Sequence, residues 1–363
     1  MKIVLNVRDL DTGGAERVAV LLAYGLRDLG HSVVIAACKV KRWDLLEGIS
    51  VIEMDVAKPL VQAIALARIV NRQRSDVVIA FGVNPAIGAS ISRLFWRKRC
   101  QLIFRNENNL DAEWRQAGRI NQFIGPALSR WAARRACMVA VSQSLADATS
   151  SYLKISRERV TTILNPVFEN CSNSTHTMDE AMHAWLRDSA IPTFVAMGRL
   201  EYQKGFDVLI DAFSLLCRQA QARLVIFGKG SLQAALQVQI NANGLQDTVT
   251  LAGHTENPFI QLRAAQAFVL SSRFEGFGLV LVEALRAGAQ VISTDCNYGP
   301  SEVLENGRYG MLVPVGDPQS LANAMLRSLE CPPATERPPD AWFQKFTAIE
   351  AARQHVALIE SLA

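Results

Sequence analysis

Two glutamates separated by seven residues, Glu275 and Glu283, have the type and spacing to do chemistry in this sequence. They lie in the stretch FEGFGLVLVEALRAG, whose glycines precede an apolar helical pattern, so backbone N–H groups are expected at the start of that helix. A pair of carboxylates could cleave a glycosidic bond, but a retaining pair needs a separation of roughly 5–5.5 Å. Eight residues of helix rise about 12 Å. We therefore expect each carboxylate to bind a different hydroxyl-bearing part of one long ligand.

A pair of cations follows the apolar run TFVAMG at 193–198. Arg199 comes directly after Gly198, and Lys204 lies five residues further on, before another glycine. A guanidinium fork and a compact ammonium at the carboxyl end of a strand suit a diphosphate group. The alternative is that both are surface charges beside a turn.

A third candidate is the glycine pair Gly13-Gly14, directly after the first apolar run. Glycines at the start of a helix let the backbone approach a ligand closely and leave N–H groups for an anion. The nearby Asp9-Leu10-Asp11 matches a metal-binding pattern, but so short a pattern is common by chance, and we expect no metal. A nicotinamide site is not expected either, because the stretch from Gly228 has Gln233 where the dinucleotide fingerprint has glycine or alanine.

The composition restricts the classes of protein to which the chain can belong. Its 363 residues are 50% hydrophobic and 20% charged, which excludes wholesale disorder and leaves room for two domains. Seven scattered cysteines without zinc spacing, no signal peptide and no apolar stretch long enough for a membrane span predict a cytoplasmic protein. Residues 1–168 carry 24 Lys+Arg and 14 Asp+Glu, a net +10, whereas the remainder carries −6. The excess predicts an anionic partner for the first half, unless the arginines serve only solubility.

The elements that must position these residues are short β-rich runs alternating with helical patterns, which predict two doubly wound α/β domains. The strands predicted for the first domain are 3–7, 33–38, 77–81, 101–104, 138–142 and 161–164. Those predicted for the second are 193–198, 223–227, 248–253, 267–270 and 290–293. The predicted boundaries are 1–166 for the first domain, 167–191 for a linker, 192–340 for the second domain and 341–363 for a terminal helical segment that packs back on the first. Ligands of such domains bind at the carboxyl ends of the strands.

These motifs resemble the retaining GT-B glycosyltransferases of family 4. The resemblance rests on GGAER near the start, on GRLEYQKGFDVLIDAF and on FEGFGLVLVEALRAG. It implies two Rossmann-like domains facing a central cleft, of which the first binds the acceptor and the second the nucleotide-sugar donor. The stretches CNYGPSEVL (296–304) and Leu164-Asn165-Pro166 are similar to members that transfer N-acetylgalactosamine or related hexoses to polyprenyl-diphosphate-linked glycans.

The resemblance also implies the reaction and its partners. The donor would be a UDP-linked hexose or N-acetylhexosamine, and the acceptor a lipid-linked oligosaccharide of surface polysaccharide assembly, such as an O-antigen or a lipopolysaccharide. In this family the leaving phosphate is thought to take the acceptor proton on the same face of the sugar, and no metal is required. The charge that develops on that phosphate would be stabilised by cations and helix dipoles.

Roles carry over by position. Arg199 and Lys204 would hold the diphosphate, and Glu275 would contact the hydroxyls of the transferred sugar. Glu283 would accept hydrogen bonds from the ribose. The remaining residues implied to line the donor site are Gly13, Gly14, Gly198, Phe277, Gly278 and Leu279.

One position departs from the family pattern. Many members have a histidine after the fourth strand of the first domain, where this chain has Arg105-Asn106-Glu107. The Arg-Asn pair is similar to the hexosamine-transferring subgroup, so we interpret the three residues as acceptor-side groups. The contact to the C6 hydroxyl of the sugar is left unassigned.

A basic amphipathic pattern in the first half predicts binding to an anionic membrane surface. Residues 120–131 place apolar side chains at helical spacing beside several arginines, and Trp96-Arg97-Lys98-Arg99 forms a second cluster. We expect peripheral attachment at the inner face of the cytoplasmic membrane. The alternative is that the stripe packs on the sheet.

Four other functions were weighed against transfer. A sugar-nucleotide epimerase of similar fold needs a histidine and carboxylate set that this sequence does not show, and a phosphorylase needs a pyridoxal lysine and a longer chain. A nucleic-acid-binding protein would use the basic first half but gives no reason for Glu275 and Glu283. A catalytically silent scaffold of a polysaccharide assembly complex stays open.

Overall fold

The computed structural model describes residues 1–10, 13–41, 48–55, 59–116, 118–169, 182–330 and 335–362. These residues form two compact units. The first contains the described residues up to 169 together with the segment from Gln344 onward, and the second contains residues 182–343.

The first unit is built on a seven-stranded sheet in which every strand pair is parallel. Its strands are β1 (Lys2–Leu10), β2 (Ser32–Val40), β3 (Ser50–Glu53), β4 (Val77–Phe81), β5 (Gln101–Asn106), β6 (Cys137–Ala140) and β7 (Val160–Thr162). The strand order is β3-β2-β1-β4-β5-β6-β7, so the direction of winding reverses between β1 and β4. The central strands are continuous apolar runs because helices cover both faces of a parallel sheet. A ligand site is expected outside the carboxyl ends of the strands at that reversal.

The helices that precede and connect these strands follow the apolar periodicity of the sequence. They are α1 (Gly14–Asp28), α2 (Pro59–Gln73), α3 (Val83–Ser92), α4 (Leu110–Gln116), α5 (Arg119–Ala133) and α6 (Gln143–Leu153), with short 3-10 turns at Arg93–Phe95 and Arg157–Arg159. The start of α1 at Gly14 agrees with the helix start expected at the Gly13-Gly14 pair.

The second unit repeats the plan with six parallel strands. They are β8 (Thr193–Met197), β9 (Arg223–Phe227), β10 (Val249–Gly253), β11 (Ala267–Leu270), β12 (Gln290–Thr294) and β13 (Met311–Val313), in the order β10-β9-β8-β11-β12-β13. Its helices are α7 (Ala184–Arg187), α8 (Phe206–Cys217), α9 (Gln233–Ala242), α10 (Pro258–Ala264), α11 (Leu279–Ala287), α12 (Pro300–Val303), α13 (Pro318–Glu330) and α14 (Asp340–Phe343), with a 3-10 turn at Tyr202–Lys204. Winding reverses here between β8 and β11. The predicted class of two doubly wound α/β domains is confirmed.

The C-terminal segment returns to the first unit. After a 3-10 turn at Gln344–Phe346, helix α15 (Ala348–Ser361) packs against α1. The contact is close because α1 has a glycine there: a Cβ on Gly25 would lie 2.1 Å from the carbonyl oxygen of Ala348.

The stretch predicted as a linker, 167–191, is hydrogen-bonded to the first unit at its start and to the second unit towards its end. Val167 N–H donates to the carbonyl of Phe346 at 2.8 Å, which ties the start of the stretch to the first unit. His183 N–H donates to Gln261 Oε1 at 3.0 Å, which ties its end to the second. Residues 170–181 lie outside the described residues.

Candidate functional site

The loop that follows β8, residues 198–205, carries both predicted phosphate-binding cations. Two glycines let the ends of β8 and β9 approach each other, because a Cβ on Gly228 would lie 1.8 Å from the carbonyl oxygen of Gly198. The loop ends at Gly205, which has φ +62° and caps α8, and a Cβ there would lie 2.2 Å from the oxygen of Ser271. Arg199 is exposed on this loop, and Lys204 is half-buried.

A second loop, residues 271–278, is bound to the first by hydrogen bonds that cross between them. Ser271 Oγ donates to the carbonyl of Lys204 at 2.8 Å, and Arg273 N–H donates to that of Gln203 at 2.8 Å. In return, Gln203 Nε2 donates to the carbonyl of Phe274 at 3.0 Å. The two loops therefore act as one rigid support for the side chains that they carry.

The support is reinforced by the side chain of Arg273. Its guanidinium binds both carboxylate oxygens of Asp207, at 2.9 and 2.6 Å, and lies 4.2 Å above the ring of Tyr202. Burial alone would raise the pKa of Asp207, but the hydrogen bonds and the charge of Arg273 outweigh it, so the pKa is lowered. Sequence reasoning gave no role to Arg273 or Asp207, since their pairing across 66 residues has no local signal.

Glu275 accepts two short hydrogen bonds within this support. Its Oε1 accepts from Lys204 Nζ at 2.6 Å and from Ser272 Oγ at 2.6 Å. The side chains of Lys204 and Glu275 are only 16% and 7% exposed. Two of the three predicted catalytic residues therefore form a largely buried ion pair, in which each balances the charge of the other.

The start of α11 lies at the end of the second loop. Gly278 has φ +87° and caps the helix, Phe277 is buried beside it, and Leu279 is the first helical residue. Glu283 lies in the second turn of α11 and is buried. A helix start offers backbone N–H groups to an anion, so cations, N–H groups and carboxylates occur together in this unit.

The nearby thiol of Cys296 stays protonated at neutral pH, because burial and then the charge of Glu275 raise its pKa to about 12. Among the described residues, no group of three or more His, Cys, Asp or Glu could hold a metal ion. Asp11 of the weighed metal pattern lies outside the described residues.

In the first unit, the predicted glycines lie at the start of α1. Gly13 is the residue before the helix, and a Cβ there would lie 2.0 Å from Glu16 Oε2. Gly13 thus leaves room for a carboxylate of the first helical turn, a favourable place for negative charge. Gly14 is exposed as the first helical residue.

The residues predicted to contact an acceptor have unequal access to solvent. Arg105 is completely buried, and Asn106 is buried with its Nδ2 donating to Thr149 Oγ1 at 2.8 Å. Glu107, by contrast, keeps 11% of its side chain exposed. The burial of Arg105 and Asn106 favours a supporting role over the direct acceptor contact that the sequence predicts.

Helix α5 presents its large apolar side chains to solvent. Ile120 and Phe123 are 75% and 83% exposed, whereas the small residues Gly125 and Ser129 face inward against Trp114. The alternative that the stripe packs on the sheet is therefore wrong for these two side chains. None of the helices in the described part of the chain is long and apolar enough to cross a membrane.

Two doubly wound domains with charged groups at the carboxyl edges of their sheets define the GT-B fold class. Residues 12–168 match the model of the family described as Glycosyltransferase Family 4, and residues 178–341 match that described as Glycosyl transferases group 1. The chain thus carries a domain of each description.

Named relatives and solved structures agree with these domains. The chain is 39% identical over 132 residues to an uncharacterized glycosyltransferase of Methanocaldococcus jannaschii, covering 36% of this chain and 32% of the relative. It is 32% identical over 136 residues to an N-acetylgalactosamine-N,N'-diacetylbacillosaminyl-diphospho-undecaprenol 4-alpha-N-acetylgalactosaminyltransferase of Campylobacter jejuni, covering 38% of this chain and 37% of the relative. The matched segment thus spans about a third of each of these curated relatives.

A solved structure matches over the whole fold. HepE of Anabaena, crystallised in complex with UDP-glucose, has a TM-score of 0.81 and 22% identity, covering 99% of this chain and 100% of the HepE chain. At this level of identity the likeness concerns the fold.

Proposed function

We propose that the protein is a retaining glycosyltransferase that moves a hexose or N-acetylhexosamine, N-acetylgalactosamine first among them, from a UDP-sugar to a polyprenyl-diphosphate-linked glycan. The observation that carries the proposal is the Lys204–Glu275 pair, with 2.6 Å between Nζ and Oε1, on a support that also carries Arg199. The two matched domains support the transferase class. The substrate in the name of the Campylobacter jejuni relative supports the lipid-linked acceptor and the sugar.

When the donor binds, Lys204 and Glu275 separate and each binds a group of the donor instead. The diphosphate takes the charge of Lys204 together with the fork of Arg199 and the N–H groups at the start of α11. Glu275 keeps the hydrogen bond from Ser272 and gains room to accept one from a sugar hydroxyl. Glu283 accepts from the ribose.

Transfer then needs one bond broken and one formed at the anomeric carbon. The bond to the phosphate oxygen breaks, the acceptor oxygen bonds to the same face, and the acceptor proton passes to the leaving phosphate. The cations and the helix start stabilise the charge that develops on that phosphate more strongly in the transition state than in the ground state.

The first experiment is a calorimetric titration with UDP, GDP, ADP and their sugar conjugates in the presence of EDTA. We expect metal-independent binding of UDP that is lost in Arg199→Ala. Arg218→Ala is the matched control, because it removes an exposed cation at the end of α8, the end far from the loop of residues 198–205. Incubation of the bound sugar nucleotide with a polyprenyl-diphosphate saccharide and NMR of the product then test retention. An inverted anomer would contradict the retaining mechanism, and the absence of any nucleotide binding would contradict the donor site.

We further propose that the first unit binds the surface of an anionic membrane, where a lipid-linked acceptor would be found. The exposed face of α5 continues to the turn after α3, where Leu94 is 71% exposed, and Arg93 Nη1 donates to the carbonyl of Arg135 between the two. Exposed apolar side chains beside arginines suit a negatively charged bilayer.

Sedimentation with vesicles tests the membrane proposal. We expect binding to vesicles containing phosphatidylglycerol, release at high salt, and loss of binding in Phe123→Asp. Val238→Asp is the control, since Val238 is equally apolar and 68% exposed but lies in the second unit. Equal loss in both variants, or no binding by the unaltered protein, would contradict the proposal.

A further inference from the structure

The guanidinium of Arg105 is held at the carboxyl end of β5 by groups from distant parts of the chain. Its Nη2 donates to Asn165 Oδ1, its Nη1 donates to the carbonyl of Ile163 at 3.4 Å, and its Nε lies 2.6 Å from Glu107 Oε1. A buried charge is tolerated only when such partners replace water.

A further partner comes from the C-terminal helix. His355 is fully buried in α15, and its Nδ1 donates to the carbonyl of Ala351 at 2.7 Å. That bond places the ring proton on Nδ1, so Nε2 accepts from Arg105 Nη1 at 3.2 Å. Burial and then the charge of Arg105 lower the pKa of His355 to about 3, which keeps the ring a neutral acceptor at physiological pH.

Glu107 is the least buried member of this group, with 11% of its side chain exposed, and it lies where a ligand is expected. Gly82 N–H, at the end of β4, donates to the carbonyl of Arg105 at 2.8 Å. Glu16, in the first turn after β1, is close enough for its charge to act on Glu107. β1 and β4 flank the reversal of winding in the first sheet, the position at which doubly wound sheets bind ligands.

We propose that His355 is a positioning residue, which fixes the Arg105 guanidinium so that Glu107 presents its carboxylate to a hydroxyl-bearing acceptor saccharide. The inference rests on the proposed function, because it assigns a group to the acceptor side of that reaction. Asn165 and His355 are neutral acceptors, so the net charge of the guanidinium is left for Glu107. Without the imidazole, Nη1 keeps only the long bond to Ile163, so the guanidinium and the carboxylate paired with it are held less tightly.

Steady-state kinetics of three variants test the proposal. His355→Leu removes the acceptor while keeping an apolar side chain of similar volume, and we expect the KM for the acceptor to rise about tenfold while the KM for the donor stays within about twofold. His355→Gln restores an acceptor and should recover most of the affinity. Ile359→Ala, which removes buried volume from the same helix one turn away, should leave both KM values unchanged. An equal rise of the KM for donor and acceptor in His355→Leu, or the same rise of the acceptor KM in Ile359→Ala, would overturn the positioning role.

A measurement without substrates separates this inference from the proposed function. Carbon-13 NMR of labelled glutamate carboxyls, assigned with Glu107→Gln, gives the pKa of Glu107. The charged groups that face Glu107 are Arg105 on β5, the strand that ends one residue before Glu107, and Glu16 on α1. In His355→Leu the Arg105 charge is held less closely, so the pKa of Glu107 should rise by about 0.5 or more. An unchanged pKa of Glu107 in His355→Leu would overturn the positioning role of His355. If the unaltered protein transfers no sugar, the proposed function and the acceptor role of Glu107 are overturned. A shifted pKa of Glu107 in His355→Leu would still establish that His355 positions Arg105.

Discussion

The two units each place a cation and a carboxylate together at the carboxyl edge of a parallel sheet, but the two pairs are built differently. In the second unit, Lys204 and Glu275 are 16% and 7% exposed, and the lysine is a flexible point charge. In the first unit, Arg105 is unexposed and fixed by four partners, and only Glu107 reaches the surface. The same 2.6 Å separation is found in both pairs.

The difference indicates what each pair can do. A lysine near the surface can leave its carboxylate for a phosphate, since water and the ligand solvate both charges during the exchange. A buried guanidinium cannot leave, because its separation from Glu107 would strand two charges in the protein interior. The second unit therefore holds an exchangeable pair and the first a permanent one.

The largest expected effect comes from removing the carboxylate of the exchangeable pair. Glu275→Ala should lower kcat by about 10³-fold or more, because the contact to the sugar is lost where the transition state needs it. Circular dichroism should match that of the unaltered protein, and UDP affinity should stay within about threefold. A variant that keeps a tenth of the activity would show that Glu275 is not in the site.

Breaking the permanent pair should act on stability instead. Arg105→Met leaves the Glu107 carboxylate without its counter-charge, and the free energy of unfolding should fall by about 3–5 kcal/mol. Urea unfolding, monitored by the fluorescence of tryptophans in the first unit such as Trp114, measures the loss of unfolding free energy. The double variant Arg105→Met/Glu107→Gln should recover part of it, and additivity of the two changes would mean that they do not interact.

The buried histidine makes the stability of the first unit depend on pH. The folded-state pKa of His355 is about 3, whereas the unfolded value is about 6.5. Between these values the unfolded chain binds the proton and the folded chain does not, so stability falls as pH decreases below about 6.5, by up to about 1.4 kcal/mol per pH unit. At pH 5 the loss should be roughly 2 kcal/mol. His355→Gln should flatten this part of the profile, and an unaltered slope would place the titration elsewhere.

The smallest effect is expected from the Arg273–Asp207 ion pair, which supports the loops that carry the exchangeable pair. Asp207→Asn keeps the size of the side chain but weakens the fork with Arg273, so kcat/KM should fall by about threefold to tenfold at pH 7. Since the pKa of Asp207 is lowered in the folded protein, its stabilising charge is present above about pH 4 and is lost as pH falls through the folded pKa. Urea midpoints of the two proteins should therefore converge in acid. A difference that persists at low pH would point to lost packing instead.

Much of the fold could be predicted from the sequence, because a parallel sheet covered on both faces is made of apolar runs. The runs of β1, β4 and β8 stand out for that reason. The patterns do not predict β3 or β13, which are edge strands of four and three residues with partly exposed side chains.

The candidate site was less predictable where it depends on distant partners. Glycines and charges next to one another in sequence pointed to Lys204 and Glu275, but not to Arg273, whose partner is 66 residues away. Arg105 was interpreted as an acceptor-side group from its resemblance to the family, and that resemblance carries no signal of its complete burial. Its imidazole partner is 250 residues further along the chain. The sequence predicted helix α5 but not which of its faces is buried. The face with small side chains packs inward because Trp114 fits against Gly125, and the face with large apolar side chains is exposed.

The return of α15 to the first unit sets an order for folding during synthesis. The second unit is continuous in the chain and can fold as soon as Phe343, its last residue, leaves the ribosome. The first unit must wait for residues 344–362, which follow the entire second unit. At about 5–20 residues per second, the roughly 175 intervening residues take about 10–35 s to translate. During that interval the groove on α1 at Gly25 is open and Arg105 lacks its histidine. The nascent first unit therefore has its seven strands but exposes the surface that α15 later covers, and a chaperone can bind there.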